Sequence, residues 1–146
     1  MSEPSDVEKP ETPNRGGDLS DQIRTKILRR DRRYELAAYF FIYEALAYTQ
    51  RKLGRQDPDL EAPRRHVTGR ELLDGIREYA AESFGPLAPT VFRSWGVRRT
   101  EDFGELVFNL VENGLLGKTD EDRREDFADG FDFDTAFDEP VEGKSL

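Results

Sequence analysis

Residues 65–116 read RHVTGRELLDGIREYAAESFGPLAPTVFRSWGVRRTEDFGELVFNLVENGLL and hold the strongest periodic patterns of the chain. Apolar residues recur there at every third or fourth position, in three successive runs with glycine-containing breaks between them. This spacing puts apolar side chains on one face of a helix, so the stretch predicts three helices in succession. The residues expected in the core are Phe40, Ile76, Trp95, Phe103, Leu106 and Leu110.

Start and stop signals mark the ends of these three helices. Thr68 and Glu71 have the spacing of a capping box, in which each side chain bonds a free backbone N–H of the first turn. Glycines after the first two apolar runs predict the ends of their helices. The third helix is predicted to start after Thr100, a residue type that caps helices, and to close at Asn113-Gly114.

Two further helices are predicted before this stretch, at about residues 20–30 and 35–53. The second of them has one charged residue, Glu44, among the thirteen residues from Leu36 to Tyr48. A helix that is apolar on nearly all sides is buried on most of them. It therefore lies either at the centre of the domain or in a homo-oligomer interface, and both interpretations stay open here.

Charge divides the chain of 146 residues, whose net charge is −9, into three parts. Residues 1–18 hold five acids and two bases, and their Pro, Glu, Ser and Gly content predicts a disordered acidic tail. Residues 19–117 hold fifteen acids and sixteen bases, and we expect them to form one compact, mainly α domain of about five helices. Residues 118–146 hold eleven acids and four bases and form an acidic, Phe-containing region that we expect to dock partly on the domain.

The composition also limits location and chemistry. The chain has no cysteine, which excludes disulfides and thiolate metal sites. Its longest apolar run, from Leu36 to Tyr43, is too short to span a bilayer. The N-terminus is acidic and lacks the apolar stretch of a signal peptide. We therefore expect a cytoplasmic protein with no membrane association.

The order of the predicted elements is also that of a winged helix. Such a fold would need a minimal two-stranded element, for which His66-Val67 and residues 115–118 are the candidates. Its recognition helix would be residues 101–113, which carry no base. Carboxylates are electrostatically unsuited to a groove lined by phosphates, so this helix is not expected to read DNA. Its four acids are Glu101, Asp102, Glu105 and Glu112.

A basic cluster occurs in residues 21–33, where six bases stand against two acids. One interpretation is a polyanion-binding patch that contacts the phosphates of RNA or DNA. The other is a solvated helix face that balances acids elsewhere in the chain, including those of its ends. The candidate polyanion contacts are Arg24, Lys26, Arg29, Arg30, Arg32 and Arg33.

Four phenylalanines stand among the acids of the C-terminal region: Phe127, Phe131, Phe133 and Phe137. They are candidate contacts for a partner protein, in a docking segment that becomes ordered on binding. The alternative is that one or two of them, Phe127 and Phe131 in particular, pin the region to the domain. If the region docks in this way, we expect its acidic residues to cover the basic cluster of residues 21–33.

Patterns of catalysis are missing from the sequence. His66 is the only histidine, so no metal site with two histidines can form, and we expect it to support the helix cap at Thr68. No serine lies in a G-x-S-x-G pattern, and there is no phosphate-binding glycine loop. We therefore assign no catalytic, cofactor-binding or metal-binding residue. An enzyme acting through His66 and carboxylates is kept only as a third interpretation.

Several stretches resemble a small family of bacterial proteins: HVTGRELL, FGPLA, WGVRRTEDFGELVFNLVENGLL and DFDTAF. The helix YELAAYFFIYEALAYTQRKL is similar to the N-terminal part of that family, and the resemblance covers about residues 20–137. The family has no assigned activity, substrate or cofactor. The resemblance implies a bacterial cytoplasmic protein with a single domain, and it carries over no functional residue.

These observations favour a non-enzymatic protein-interaction or adaptor protein. The alternative is a nucleic-acid-binding or ribosome-associated protein that uses the basic helix at residues 24–33.

Overall fold

The computed structural model describes residues 17–57, 59, 61, 66–117 and 124–138. The mainly α prediction is confirmed, because every regular element in these residues is helical. The α-helices are α1 Leu19–Ile23, α2 Leu36–Lys52, α3 Gly69–Phe84, α4 Ala88–Ser94, α5 Thr100–Glu112 and α6 Phe133–Ala136. A π-helical segment, Arg24–Leu28, continues α1, and 3₁₀ turns occupy Gly85–Leu87 and Arg124–Phe127. Residues 1–16, 118–123 and 139–146 are not described, so the disorder predicted for residues 1–18 lies outside the described residues except at its end. There Asp18 is ordered as the cap of α1 and accepts from the backbone N–H of Asp21 (3.0 Å).

The minimal two-stranded element that a winged helix would need is not formed in the part of the chain that the structure describes. Main-chain groups of both candidate strands form other hydrogen bonds, one to an arginine side chain and one to the end of a helix. The carbonyl of His66 accepts from the Arg55 guanidinium (3.0 Å), and the N–H of Leu115 donates to the carbonyl of Leu110 (2.8 Å). Gly114, at φ +73°, supplies the left-handed turn that directs Leu115 back onto α5. Lys118, the last residue of the second candidate, is not described.

Local signals at the start of α3 are confirmed. The backbone N–H of Glu71 donates to Thr68 Oγ1 (3.1 Å), and the backbone N–H of Thr68 donates to Glu71 Oε1 (3.0 Å). At α5 the prediction is wrong, because Thr100 is the first helical residue rather than the cap. The carboxylate of Asp102 replaces it there and accepts from the backbone N–H groups of Arg98 (2.8 Å) and Arg99 (3.2 Å).

Helix α2 lies at the centre of the core. The ring of Phe41 lies 5.3 Å from Trp95, 5.5 Å from Tyr79 and 5.7 Å from Phe92, measured between ring centroids. These contacts join α2 to α3 and to the α4 region, and the buried side of α2 supports the central-core interpretation. Its buried residues are Ala38, Tyr39, Phe41, Ile42, Ala45 and Thr49. The homo-oligomer interpretation stays a prediction for the opposite side, where Ala37 and Ala47 are exposed.

Four of the six expected core residues are fully buried, namely Ile76, Phe103, Leu106 and Leu110. Phe40 and Trp95 are half-buried.

A close approach of α2 and α3 fixes the packing of this core. Thr49 is buried, and its hydroxyl donates to the carbonyl of Ala45 (2.7 Å). A Cβ atom at Gly75 would overlap the Thr49 hydroxyl, so the two helices can lie at this distance only because Gly75 has no side chain. At this contact α2 packs against α3, while Leu36 in its first turn lines a groove together with the π-helical segment.

Candidate functional site

An open groove of about 740 Å³ lies where the π-helical segment, the following turn and the first turn of α2 meet. We call it the basic groove. Its basic lining residues are Arg24, Arg29 and Arg32, which belong to the predicted cluster and are exposed. Leu28 and Leu36, both half-buried, give the groove apolar surface. The arrangement offers cations next to apolar contact area, which suits a ligand that is both acidic and apolar.

The ion pairs of the basic cluster show which of its cations are available to bind a ligand. Arg24 lies 3.7 Å from Asp21 in an exposed pair, a contact of little energetic weight. Four members of the cluster are exposed and form no ion pair within the described residues, namely Lys26, Arg29, Arg30 and Arg32. Their charge is therefore directed to solvent and is not used by the fold described here.

Arg33 is the exception in the cluster. Its guanidinium donates to both carboxylate oxygens of Asp31, at 3.0 and 2.6 Å, and to Glu105 Oε1 at 3.3 Å. The bond from Arg33 lowers the pKa of Asp31 from its ordinary 3.8 to about 2. Asp31 also accepts from Asn109 Nδ2 (3.1 Å), which ties the turn to α5. Arg33 is therefore a structural residue that fixes one end of the groove.

Tyr34 and the π-helical segment shape the rest of the groove. The Tyr34 hydroxyl donates to Asp102 (2.6 Å), and burial raises the pKa of this phenol, helped by the carboxylate beside it. The π-helical segment contributes Arg24, Thr25 and Leu28 to the lining. Turns of π-helix are rare and occur frequently at functional sites. This segment was predicted as ordinary α-helix, and no local pattern in it indicates the wider turn.

The C-terminal region docks on the domain through residues 124–138, which we call the docked segment. Phe127 is 2% exposed and lies between α3 and α5. A Cβ atom at Gly69 would lie 3.0 Å from its ring, and one at Gly104 would lie 3.1 Å from its side chain. Two glycines on two helices therefore form the slot that receives Phe127.

Thr100 holds the main chain of the docked segment. Its buried hydroxyl donates to the carbonyl of Phe127 (2.6 Å) and accepts from the N–H of Gly130 (3.0 Å). Gly130 passes so close to Leu73 that a Cβ atom there would overlap the leucine side chain. Sequence reasoning missed this role of Thr100, although the glycines at 69, 104 and 130 were a signal of close approach.

The other phenylalanines also lie against the domain. Phe133 and Phe137 are buried and lie 5.2 and 5.8 Å from Phe92, while Phe131 is half-buried against both of them. Their role as contacts for a partner stays a prediction, and a partner would have to displace the segment to reach three of the four. No residue of the docked segment lines the basic groove, so residues 124–138 do not form the expected cover of the basic face.

The acidic side chains of α5 bond other parts of the chain and so stabilise the fold. Glu105 pairs with Arg33 and with Arg124 of the docked segment (2.5 Å), and Glu101 accepts from the N–H of Asp129 (3.3 Å). Asp102 holds Tyr34 and the start of α5, and Glu112 lies 3.9 Å from Arg124, so all four acids of this helix have partners inside the chain. The carboxylates of α5 therefore hold the turn before α2 and the docked segment against this helix.

The candidates for catalysis were His66 and carboxylates, and the bonds described for His66 and Glu71 are structural. The main chain of His66 lies at the start of α3, where Arg55 donates to its carbonyl and also to both oxygens of Glu71 (2.7 and 3.1 Å). The bond from Arg55 lowers the pKa of Glu71. No group of three His, Asp or Glu residues in the described part of the chain is arranged to hold a metal ion.

Comparisons with protein-family models, curated proteins and solved structures find no match for this chain. The resemblance to a bacterial family stays a prediction. Among the described helices, none combines the length and the apolar character needed to cross a membrane.

Proposed function

We propose that this chain is a non-enzymatic protein-interaction protein of the bacterial cytoplasm, and that its basic groove binds an acidic, apolar segment of a partner protein. The observation that carries the proposal is that Arg29 and Arg32 are exposed and form no ion pair within the described residues, next to the apolar surface of Leu28 and Leu36. Unpaired cations beside apolar area gain affinity from charge-assisted bonds and from burial when such a segment binds.

Nucleic acid is the alternative ligand, and the lining of the groove favours it less. Asp21 and Glu35 also line the groove, and both would repel a phosphate backbone. Single strands need aromatic faces for base stacking, yet Tyr34, the aromatic residue in this lining, is 3% exposed. A peptide accommodates this mixture, because its acidic side chains can alternate with neutral ones.

Charge reversal in the groove tests the proposal. The double variant Arg29→Glu/Arg32→Glu removes the two unpaired cations of the lining. Arg51→Glu/Arg70→Glu is the matched control, because it makes the same charge change at exposed positions that do not line the groove. The probes are a labelled peptide of alternating Glu and Leu and an RNA of equal charge, titrated at physiological salt.

We expect the groove variant to bind the peptide at least about tenfold more weakly than the parent, which corresponds to 1.4 kcal/mol of binding free energy. The control is expected to keep the parent's affinity. Tighter binding of RNA than of peptide, lost in the groove variant and steeply dependent on salt, would favour the nucleic-acid alternative. Equal loss in both variants would mean that net charge alone attracts the peptide.

A further inference from the structure

We infer that the surface beneath the docked segment is a second peptide-docking site, which takes an acidic segment with aromatic anchors from a partner protein. The chain's own residues 124–138 occupy this site in the partner's place. The inference goes beyond the basic groove, because the two sites share no lining residue.

The docked segment is held like a bound peptide. It has one 3₁₀ turn and one helical turn, so its own regular structure contributes little to its position. Its anchors are phenylalanine side chains in a slot and against Phe92, and its main chain is fixed by side chains of α5. Thr100 bonds the main chain of Phe127 and Gly130, and Glu101 bonds that of Asp129. Main-chain contacts of this kind do not depend on the identity of the side chains they pass.

The chain's own segment fills this site incompletely. An open cavity of about 450 Å³ remains along the seam between the segment and the domain. Arg98 and Arg99 line it from the domain side, are exposed, and form no ion pair within the described residues. Asp132 lines it from the segment side, and the ion pair between Arg93 and Asp134 (3.2 Å) lies at its edge. Two cations next to a short acidic chain indicate room for a ligand with longer or additional carboxylates.

The backbone conformation of the docked segment also leaves room for a ligand that fits this site better. Asp129 has a φ of +50°, a left-handed conformation that glycine adopts more readily than aspartate does. A ligand with glycine at this position would adopt it at lower cost.

The site also defines the pattern of its ligand. One aromatic residue fills the slot between Gly69 and Gly104, and a second contacts Phe92 in the place of Phe133. Glycine is favoured between them, because a Cβ atom at position 130 would force the buried Leu73 side chain to shift. The expected ligand is therefore Phe-x-x-Gly-x-x-Phe with acids at several of the variable positions. The own segment shows this acidic character, with six acids and one base in residues 124–138.

Competition between the two occupants provides the test. The probe is a labelled synthetic peptide with the sequence of residues 124–138 and glycine in place of Asp129. In the intact chain the own segment competes at an effective concentration on the order of millimolar, so the peptide is expected to bind weakly. The variant Phe127→Ser empties the slot in the full-length protein. We expect it to bind the peptide at least about tenfold more tightly than the parent does, since the competitor is weakened. Phe131→Ser is the matched control, because Phe131 is half-buried and lies outside the slot. We expect this variant to gain less affinity for the peptide than Phe127→Ser does.

Two further comparisons identify the surface that binds. A peptide with Ala in place of Gly130 is expected to lose at least about tenfold in affinity. The variant Arg98→Glu/Arg99→Glu, combined with Phe127→Ser, is expected to weaken peptide binding, whereas Arg29→Glu/Arg32→Glu in the same background is not. The reverse result would place the peptide in the basic groove and overturn this inference while leaving the proposed function intact.

A second format avoids the slot variant in case Phe127→Ser does not fold. A protease site replaces residues 118–123 of the full-length chain, and the folded protein is cut there so that the own segment is no longer tethered. We expect the labelled peptide to exchange for the cut segment while the circular dichroism of the domain is unchanged. Unfolding on cleavage, or a segment that never exchanges, would show that residues 124–138 are an integral part of the core. Equal or weaker peptide binding by a folded Phe127→Ser protein would contradict the inference as well.

Discussion

Replacing Thr100 by valine separates the role that the sequence predicts for this residue from the role in the folded chain. Valine keeps the shape of threonine and removes only the hydroxyl. A capping threonine would lose a bond to the first turn of α5. In the structure the lost bonds are instead those to the carbonyl of Phe127 (2.6 Å) and from the N–H of Gly130 (3.0 Å).

The size of the effect follows from the burial of these groups. Thr100 is 1% exposed, so the Phe127 carbonyl that it binds is left without a partner, at a cost of about 1–3 kcal/mol. Gly130 is half-buried, and water can replace part of its bond. We therefore expect a loss of about 2–4 kcal/mol in the free energy of unfolding. At roughly 3 °C per kcal/mol, the melting temperature should fall by about 6–12 °C.

Urea denaturation gives the free energy, and amide hydrogen exchange gives the location of the change. Protection should fall at residues 127–137 and stay at the start of α5, where Asp102 still accepts from the N–H groups of Arg98 and Arg99. Thr90→Val, at an exposed position of α4, is the matched control and should stay within about 0.5 kcal/mol of the parent. A parent-like Thr100→Val protein, or lost protection confined to residues 101–104, would refute the role assigned to the hydroxyl.

Three other changes have definite expected outcomes. Gly75→Ala should destabilise by about 1–3 kcal/mol in urea denaturation, because the new Cβ overlaps Thr49, and adding Thr49→Ala should recover part of the loss. A stabilised Gly75→Ala protein would show that α2 and α3 are not so close. Leu110→Ala should lower the free energy of unfolding by about 2–5 kcal/mol, and a parent-like melt would mean that α5 does not turn this face inward. Asp31 has a folded-state pKa lowered to about 2 by Arg33, so its contribution is complete above its ordinary pKa of 3.8 and is lost as the pH falls through about 2. Asp31→Asn should therefore lower stability at pH 7 and converge with the parent in acid, and a constant difference at all pH values would contradict this assignment.

Two kinds of prediction that rest on contacts within one helical turn agree with the structure, although the cap predicted at Thr100 does not. The capping box of Thr68 and Glu71 spans three residues, and the apolar repeats of α3 and α5 describe the faces that the core covers. Such patterns can be predicted because the chain brings these groups together as soon as the helix forms. The buried side of α2 was left open between core and interface, since a nearly uniform apolar helix does not indicate which side faces the domain.

Apart from the docking of Phe127, predictions that needed distant partners failed or could not be made. Thr100 was assigned to a local cap, but its partners lie 27 and 30 residues further along the chain. Asp31 and Asn109, which join the turn to α5, are 78 residues apart. Identical residue types in exposed and buried surroundings look the same in a sequence, so Arg33 was grouped with Arg32 although only Arg33 has carboxylate partners among the described residues.

The sequence by itself determined the helical class, the approximate limits of the main helices and the division of charge along the chain. Each of these depends on neighbours within a few positions or on composition alone. Only the tertiary structure decided which acids of α5 are used internally, which arginines face solvent, and where Phe127 lies. These outcomes depend on how closely parts of the chain approach each other. The absence of a side chain lets α2 reach α3 at Gly75, and it lets Phe127 reach α3 at Gly69 and α5 at Gly104. The basic groove and the slot for Phe127 exist because separate helices meet there, and no local pattern specifies that meeting.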